Sequence, residues 1–432
     1  NHWAAEEALA ARAVRPDCAP LLIHTASEFF ASRQTAMPAA RFVRNAIQAC
    51  AHGANAAPAV NGTLDQDDPR LVPQIRSLGR YLERNASWYA GLRSLAKVAL
   101  VRSEDSLNWG PDAGRMAGQP GTPGHVAEFR GCYEMAAQLR HPCAVLPAGG
   151  LNAADLARYG AVVLPAVSCL GAEDAAAIDA YIVDGGAAIV TADTGACDRD
   201  GRPASGHALA AMPALPGVPL TVFGAYFKLA DPALRRAVGG APHVGADGEF
   251  WSPPVPAGAT CDLRLVGPFR NNAPEFTTVA GPGDAPGLIA LRRGAGRMVW
   301  LPWRIGALFH AAAIPEYAAL FGRVLEEAVG PAPIRTDAPD AVECILYAHD
   351  RGEVLHLVNG AALQSKPLVG TTPLAGFEVR VRSLAVSAVR LDSGAPLALR
   401  REGEEVVLRI DRLDVFVAIA LLAPSECLIA TN

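Results

Sequence analysis

The chain changes rhythm twice. Up to about residue 94, helix-period stretches alternate with short apolar runs. Trp3 to Val14 reads as a helix, and Ala19 to His24 as a buried strand. The next helix shows one apolar face, Phe42, Val43, Ala46, Ile47 and Cys50, with Pro38 at its start and His52-Gly53 at its end. Ala54 to Val60 is a second short strand, and Pro69 to Leu92 a long helix. The order α, β, α, β, α predicts parallel strands joined by crossover helices. Two such strands make no stable sheet alone, because parallel sheets are covered on both faces.

Residues 95–332 continue the alternation with more strands. Lys97 to Val101, Cys143 to Leu146, Ala161 to Pro165 and Ala187 to Thr191 are uninterrupted apolar runs, each separated by a helical stretch. Helices are expected around Phe129 to Leu139, from the N-cap Asn152 to Gly160, and over Ala172 to Val183 before Gly185-Gly186. Leu288 to Leu291 and Met298 to Leu301 flank Gly294 and Gly296 as a hairpin, and a last helix runs from Pro315 to Gly330. Residues 200–286, rich in Gly and Pro, read as an irregular insertion. From 335 to 423 the period becomes two: Val342 to Ala348, Glu353 to Val358, Phe377 to Val381, Val386 to Leu391, Glu405 to Ile410 and Val415 to Leu421 predict six strands of an antiparallel sandwich.

Composition narrows the function classes. The 432 residues suggest two to four domains, and 51% hydrophobic with 19% charged residues excludes a disordered chain. A net charge of -5 argues against a nucleic-acid binder, which needs a concentrated basic surface. No apolar run reaches 18 residues, so no membrane span is expected. Nine scattered Cys, without a CxxC pair, fit reduced thiols in a cytoplasmic protein. No signal peptide is visible, and HExxH, P-loop and GxGxxG motifs are absent.

The three-part order is similar to the C-terminal portion of family 42-type β-galactosidases and related glycosidases. Ala49 to Asn55, the stretches Leu156 to Pro165 and Asp179 to Gly186, Val299 to Gly306, and Leu355 to Asn359 carry the resemblance. It implies an α/β fold in three parts. Residues 1–94 would be the last two units of an (α/β)8 barrel that is incomplete in this chain. Residues 95–332 would be a flavodoxin-like, class I amidotransferase-like doubly wound trimerisation domain, and 335–423 a β-sandwich. The implied activity is hydrolysis of a β-linked glycoside by a homotrimer without a cofactor or metal, the second domain's loops closing a neighbour's active site. The runner-up is a non-catalytic carbohydrate-associated or oligomerisation module.

Retaining glycosidases need two carboxylates about 5–5.5 Å apart. The resemblance places the nucleophile near His24-Thr25, where no carboxylate stands; Glu28 is the nearest, a displaced nucleophile or else a solvated loop residue. His24 would bond a sugar hydroxyl unless it is a satisfied core histidine. Arg33 would line the same loop. Asp65, with Asp67 and Asp68, would form the rim after the second strand, or an Asp-rich turn leading to Pro69. Trp109 and Trp251, set among Gly and Pro, are expected exposed at an interface or sugar-stacking pocket, whereas Trp300 is expected in the core. A third reading, an amidotransferase, needs a Cys on a sharp strand-to-helix turn. The turn Thr191-Ala192-Asp193-Thr194-Gly195 has none, and Cys169 lies one loop earlier.

Overall fold

Uninterrupted aliphatic runs such as Ala161–Leu164 and Ala187–Thr191 have no polar face to offer water, so they sit where both faces of a sheet are covered. In the computed structural model every residue of these two strands is buried. The structure describes residues 2–27, 34–60, 65, 68–113, 124–204, 206–210, 212, 219–266, 283, 285–361 and 371–424. They form a mixed α/β protein with four sheets, in two compact units. One comprises Ala96–Ala136 and Cys143–Pro331; the other joins Asn1–Leu95, Ala137–Pro142 and Ala332–Asn432.

The unit of Ala96–Ala136 and Cys143–Pro331 holds a nine-stranded mixed sheet. Five parallel strands lie in the order Cys143–Pro147, Val98–Arg102, Ala161–Leu164, Ala187–Thr191, Gly296–Leu301. Four antiparallel neighbours extend it: Pro286–Arg293, Thr260–Val266, Leu220–Leu229 and His243–Phe250. The expected hairpin around Gly294 is therefore present. The stretch 200–286 is not an irregular insertion: three of these strands and the helix Pro232–Ala237 arise from it. They escape the pattern because Gly224 and Gly248 interrupt their alternation, and the pairing of the last two strands carries a bulge between Val222 and Ala225.

Two helices of this unit meet at glycines. A Cβ on Gly131, within helix His125–Gln138, would lie 1.8 Å from the Gly306 carbonyl oxygen. That approach lets the fully buried Glu128 accept from the Gly306 and Ala307 amides, 3.1 and 2.8 Å away, at the start of helix Ile305–Ala312. The carboxylate occupies the positive end of a helix dipole.

In the other unit, expected segments 1–94 and 335–423 pack together. Strands Leu21–Thr25 and Asn55–Ala59 form a parallel pair in register Leu21↔Asn55 to Thr25↔Ala59. Helices Trp3–Val14 and Ala39–Ala51 cover one face through Ala4, Ala8, Leu22, Ala49 and Ala54. The expected long helix after Pro69 breaks at Asn85, whose side-chain amide donates to Tyr81 O and Leu391 O; Val72–Arg84 and Ala86–Tyr89 lie on either side.

Two antiparallel sheets follow. One is Ile334–Thr336, Leu374–Arg382, Glu405–Leu413, Leu399–Glu402; the other is Pro396–Leu397, Ser387–Arg390, Phe416–Leu422, Gly352–Asn359, Val342–His349, Arg93–Ser94. Val342, Cys344, Leu346, Leu355 and Leu357 share a core with Phe377, Val379, Val406 and Leu408 of the first sheet. The alternate residues Ile345, Tyr347, Val354 and Val358 pack instead on Ala46, Ile47, Cys50, Leu78 and Tyr81 of the helices. The six-stranded sheet is thus covered on both faces, which is why Val342 to Tyr347 are all buried.

This double cover buries polar side chains that an open sheet would give to water. Glu343 is only 4% exposed. Gln48 Nε2 donates to it, His2 Nδ1 lies 3.1 Å away and His52 Nε2 3.6 Å. His52 Nδ1 in turn meets Tyr347 Oη at 3.1 Å. Burial alone would push the Glu343 carboxyl up, yet His2 and His52 hold it well below the usual carboxylate range. A second chain runs from His356 Nε2 to Tyr89 Oη (2.9 Å) and on to Tyr81 Oη (2.8 Å). Removing one member of a buried charged group leaves the others without partners, at about 3–5 kcal/mol. Glu343→Leu is therefore expected to lower the unfolding free energy of this unit by that amount in urea titrations followed by Trp fluorescence. A loss below about 1 kcal/mol, the size of an ordinary surface change, would contradict the assignment.

Candidate functional site

The carboxyl ends of parallel strands are where α/β sheets present functional groups. At the end of Leu21–Thr25 the alternation decides which side chains face outward. Leu22 and His24 are buried, whereas Leu21 and Ile23 are each 63% exposed. His24 lies on the helix side, edge-on to the Trp3 ring at 5.7 Å. Neither of its ring nitrogens has a hydrogen-bond partner among the described residues. It is a core histidine as far as burial goes, but an unsatisfied one, and it is turned from the open face on which a sugar would lie. Burial pushes it down to about 4, so it is neutral near pH 7.

The loops beyond these two strands are tied to each other. Ala26 N donates to Ala59 O, Met37 N to Ala26 O, and Ala36 N to Asp68 Oδ2 at 2.8 Å. Asp68 also receives Arg70 Nε and Nη2 at 2.7 and 2.6 Å. Those Arg70 bonds first, then the Ala36 amide, hold its carboxyl well below the usual range. Asp68 is thus a clasp between the loops, as an Asp-rich turn requires. Asp65 is exposed beside it. Glu28, Arg33 and Asp67 lie outside the described residues.

In the other unit, helix Glu104–Trp109 is capped by Ser103, whose hydroxyl accepts from Ser106 N. Trp109 ends it 61% exposed, as its surroundings suggested. Trp251 is different: it is 5% exposed and packs on Ala166 and Ala192. The Gly and Pro residues around it turn the chain inward, and Trp251 N donates to Pro302 O. The Arg304 guanidinium lies 5.4 Å from its ring centroid, a cation–π contact sequence spacing did not reveal. Trp300 is fully buried as expected, its Nε1 donating to Ala192 O.

Arg304 is the hub at these strand ends. It is 5% exposed and meets Glu249 at 2.9 Å, Asp112 at 3.0 Å and Asp193 at 3.5 Å. Burial pushes the Asp193 carboxyl up, opposed by Arg304. Three carboxylates gather on its Nε and Nη2, so the cluster fastens loops together. His125 does likewise: its Nε2 accepts from Ser103 N at 2.8 Å, and its Nδ1 proton faces Pro165 O at 2.8 Å. Burial pushes it down to about 4.

The sharp turn after Ala187–Thr191 has the strained geometry that nucleophile-bearing turns use, with Ala192 at φ 51°. An alanine stands there, fully buried. The backbones of Cys169 and Cys197 meet nearby in an isolated β-bridge; burial pushes the Cys169 thiol up to about 12 and the Cys197 thiol up as well. These are poor nucleophiles at neutral pH. No group of three or more His, Cys, Asp or Glu side chains able to hold a metal occurs among the described residues. No helix among them is long and apolar enough to cross a membrane.

Comparison with known proteins agrees with the resemblance drawn from the sequence. Residues 150–229 match the family described as the β-galactosidase trimerisation domain. No curated protein matches the chain. Among solved structures, α-L-fucosidase isoenzyme 2 from Paenibacillus thiaminolyticus is similar over 98% of this chain and 63% of that one, at 15% identity and a TM-score of 0.74. A GH42 β-galactosidase from G. stearothermophilus is similar over 97% and 56%, at 15% identity and TM-score 0.68. The β-galactosidase from Bacillus circulans sp. alkalophilus is similar over 97% and 58%, at 16% identity and TM-score 0.61. These likenesses establish the fold. The chain spans roughly three fifths of the length of these proteins.

Acid should unfold the protein through its buried neutral histidines. His24, His125 and His207 are each pushed down by burial to about 4, and His356 to about 3. An unfolded histidine takes a proton near 6.5. The unfolded chain therefore binds more protons between about 6.5 and 4, and stability falls as pH falls through that window. For the unsatisfied His24, His24→Leu should be at least as stable as the parent at pH 7. Its advantage should grow by about 1–3 kcal/mol as pH falls to 4. Thermal melts of both proteins across pH 4–7 check this; a constant difference would mean that His24 is not held neutral by the fold.

Proposed function

We propose that the protein is a glycoside hydrolase of β-galactosidase type, acting on a β-linked glycoside as a homotrimer. The observation that carries this reading is the half-covered parallel strand pair. Leu21 and Ile23 stand exposed on one face while helices cover the other. Parallel strands occur covered on both faces, so this pair is the end of an (α/β)8 barrel whose further strands cover the open side. The family match over 150–229 supports a trimerisation role for the unit that contains it. The parallel strand order there is the flavodoxin-like 2-1-3-4-5 in that unit's own numbering, a doubly wound arrangement. The two antiparallel sheets sharing one core form the C-terminal β-sandwich.

Several observations turn this unit away from chemistry of its own. Its sharp turn carries Ala192, burial pushes the Cys169 and Cys197 thiols up, and Arg304 is ringed by three carboxylates. A glutaminase reaction therefore finds no activated thiol at this turn among the described residues. Catalysis is assigned instead to the barrel, with Glu28 in the nucleophile's place beyond the Leu21–Thr25 strand and Asp65 and Arg33 at the rim. Trp109, exposed on the trimerisation unit, is assigned to a neighbouring protomer's sugar site.

Two measurements test the reading. Light scattering on the eluting protein should give three times the 45.0 kDa protomer mass at micromolar concentration, and a monomer would count against it. Glu28→Gln in the full-length gene product should reduce hydrolysis of 4-nitrophenyl β-galactoside by about 10³-fold or more, as loss of a covalent nucleophile does. Unchanged turnover would remove Glu28 from the site.

A further inference from the structure

Arginine is almost the sole basic residue of this chain, and most guanidiniums of the unit containing helix Val72–Arg84 are engaged. Arg335 bonds Glu405, Arg380 bonds Glu402, Arg390 bonds Asp392, Arg412 bonds Asp414, Arg93 bonds Asp350 and Arg70 bonds Asp68. Three are not. Arg76, Arg80 and Arg84 stand exposed on one face of the helix Val72–Arg84, and none has an ion-pair or hydrogen-bond partner among the described residues. Spacing of four residues places successive side chains about 6 Å apart along the axis. Like charges at that spacing repel and work against the helix. With Pro73, Ser77 and Glu83 they line an open groove of about 540 Å³.

A row of uncompensated cations that weakens its own helix is explained by an anion that compensates it. We propose that this groove binds a linear acidic polysaccharide, its carboxylate groups lying along Arg76, Arg80 and Arg84. The class of polyanion rests on the carbohydrate reading above; the charge row does not. Three features favour a glycan over other polyanions. No aromatic side chain of the described residues lines the groove, whereas single-stranded nucleic acid is held by aromatic stacking platforms. Ser77 and Glu83 supply hydrogen-bond partners for sugar hydroxyls. The opposite side of the helix, with Leu78 and Tyr81, is buried in the core, so the helix has no free apolar face to enter a lipid surface.

Biolayer interferometry with immobilised polygalacturonate tests the site without any turnover. The parent should bind, and binding should weaken as salt is raised. The combined variant Arg76→Gln, Arg80→Gln, Arg84→Gln should bind at least about tenfold more weakly, the loss expected when phosphate- or carboxylate-type charge contacts go. Glu83→Gln, which removes the one like charge from the groove, should bind more tightly. Neutral galactan should not distinguish these variants. Equal polygalacturonate binding by parent and combined variant would overturn the inference, as would tighter, equally Arg-dependent binding of single-stranded DNA. Because binding is measured directly, failure here leaves the hydrolase reading standing, and a hydrolytically inactive protein still passes.

Discussion

The structure of the unit that joins the two ends of the chain depends on one sheet being buried from both sides. The strands Val342–His349 and Gly352–Asn359 give Val342, Cys344, Leu355 and Leu357 to one layer and Ile345, Tyr347, Val354 and Val358 to the other. Neither face is left for water. Each polar residue in those strands must therefore find its partner inside the protein, since a buried polar group without one is costly. Glu343 finds Gln48, His2 and His52, and His356 finds Tyr89. Those partners come from the first 95 residues. The polar groups thus tie the helices of the first 95 residues to the sheet alongside the apolar packing.

That constraint fixes the strand pair Leu21–Thr25 and Asn55–Ala59 in turn. Helix Ala39–Ala51 packs on the sheet through Ala46, Ile47 and Cys50 and covers the strand pair through Ala49. The pair is held against a rigid backing while its other face, with Leu21 and Ile23, stays open. The proposed catalytic position lies just past the end of this anchored strand. In the second unit the same economy appears at the strand ends, where Arg304, His125 and the strained Ala192 turn lock loops in place.

Much of this was legible in the amino-acid sequence wherever a single local rule governs. Uninterrupted apolar runs marked the parallel strands, and Pro315 and Gly330 bracketed the observed helix Pro315–Val329. Asp68, of the Asp-rich stretch before Pro69, bonds Ala36 and Arg70. Rules that depend on distant partners failed. Glu343 alternates with core residues and is buried only because helices from elsewhere in the chain cover it. Trp251 reads as exposed among Gly and Pro, yet its ring is buried by contacts with Ala166, Ala192 and Arg304. The strands within 200–286 pair at the antiparallel side of a mixed sheet, with glycines breaking their alternation. His24 was legible as a strand residue, but not its lack of partners, which is a property of the packed layer around it.

The central claim is that the open face of the Leu21–Thr25 and Asn55–Ala59 pair belongs to a larger closed sheet. Hydrogen–deuterium exchange on the full-length gene product tests it most directly, read at those strand amides that do not donate across the pair. The account predicts that they exchange as slowly as amides of the fully covered strand Ala187–Thr191, because further strands accept from them. Exchange at the rate of open, solvent-facing edge amides would contradict it and leave the pair as the outer edge of a two-stranded sheet.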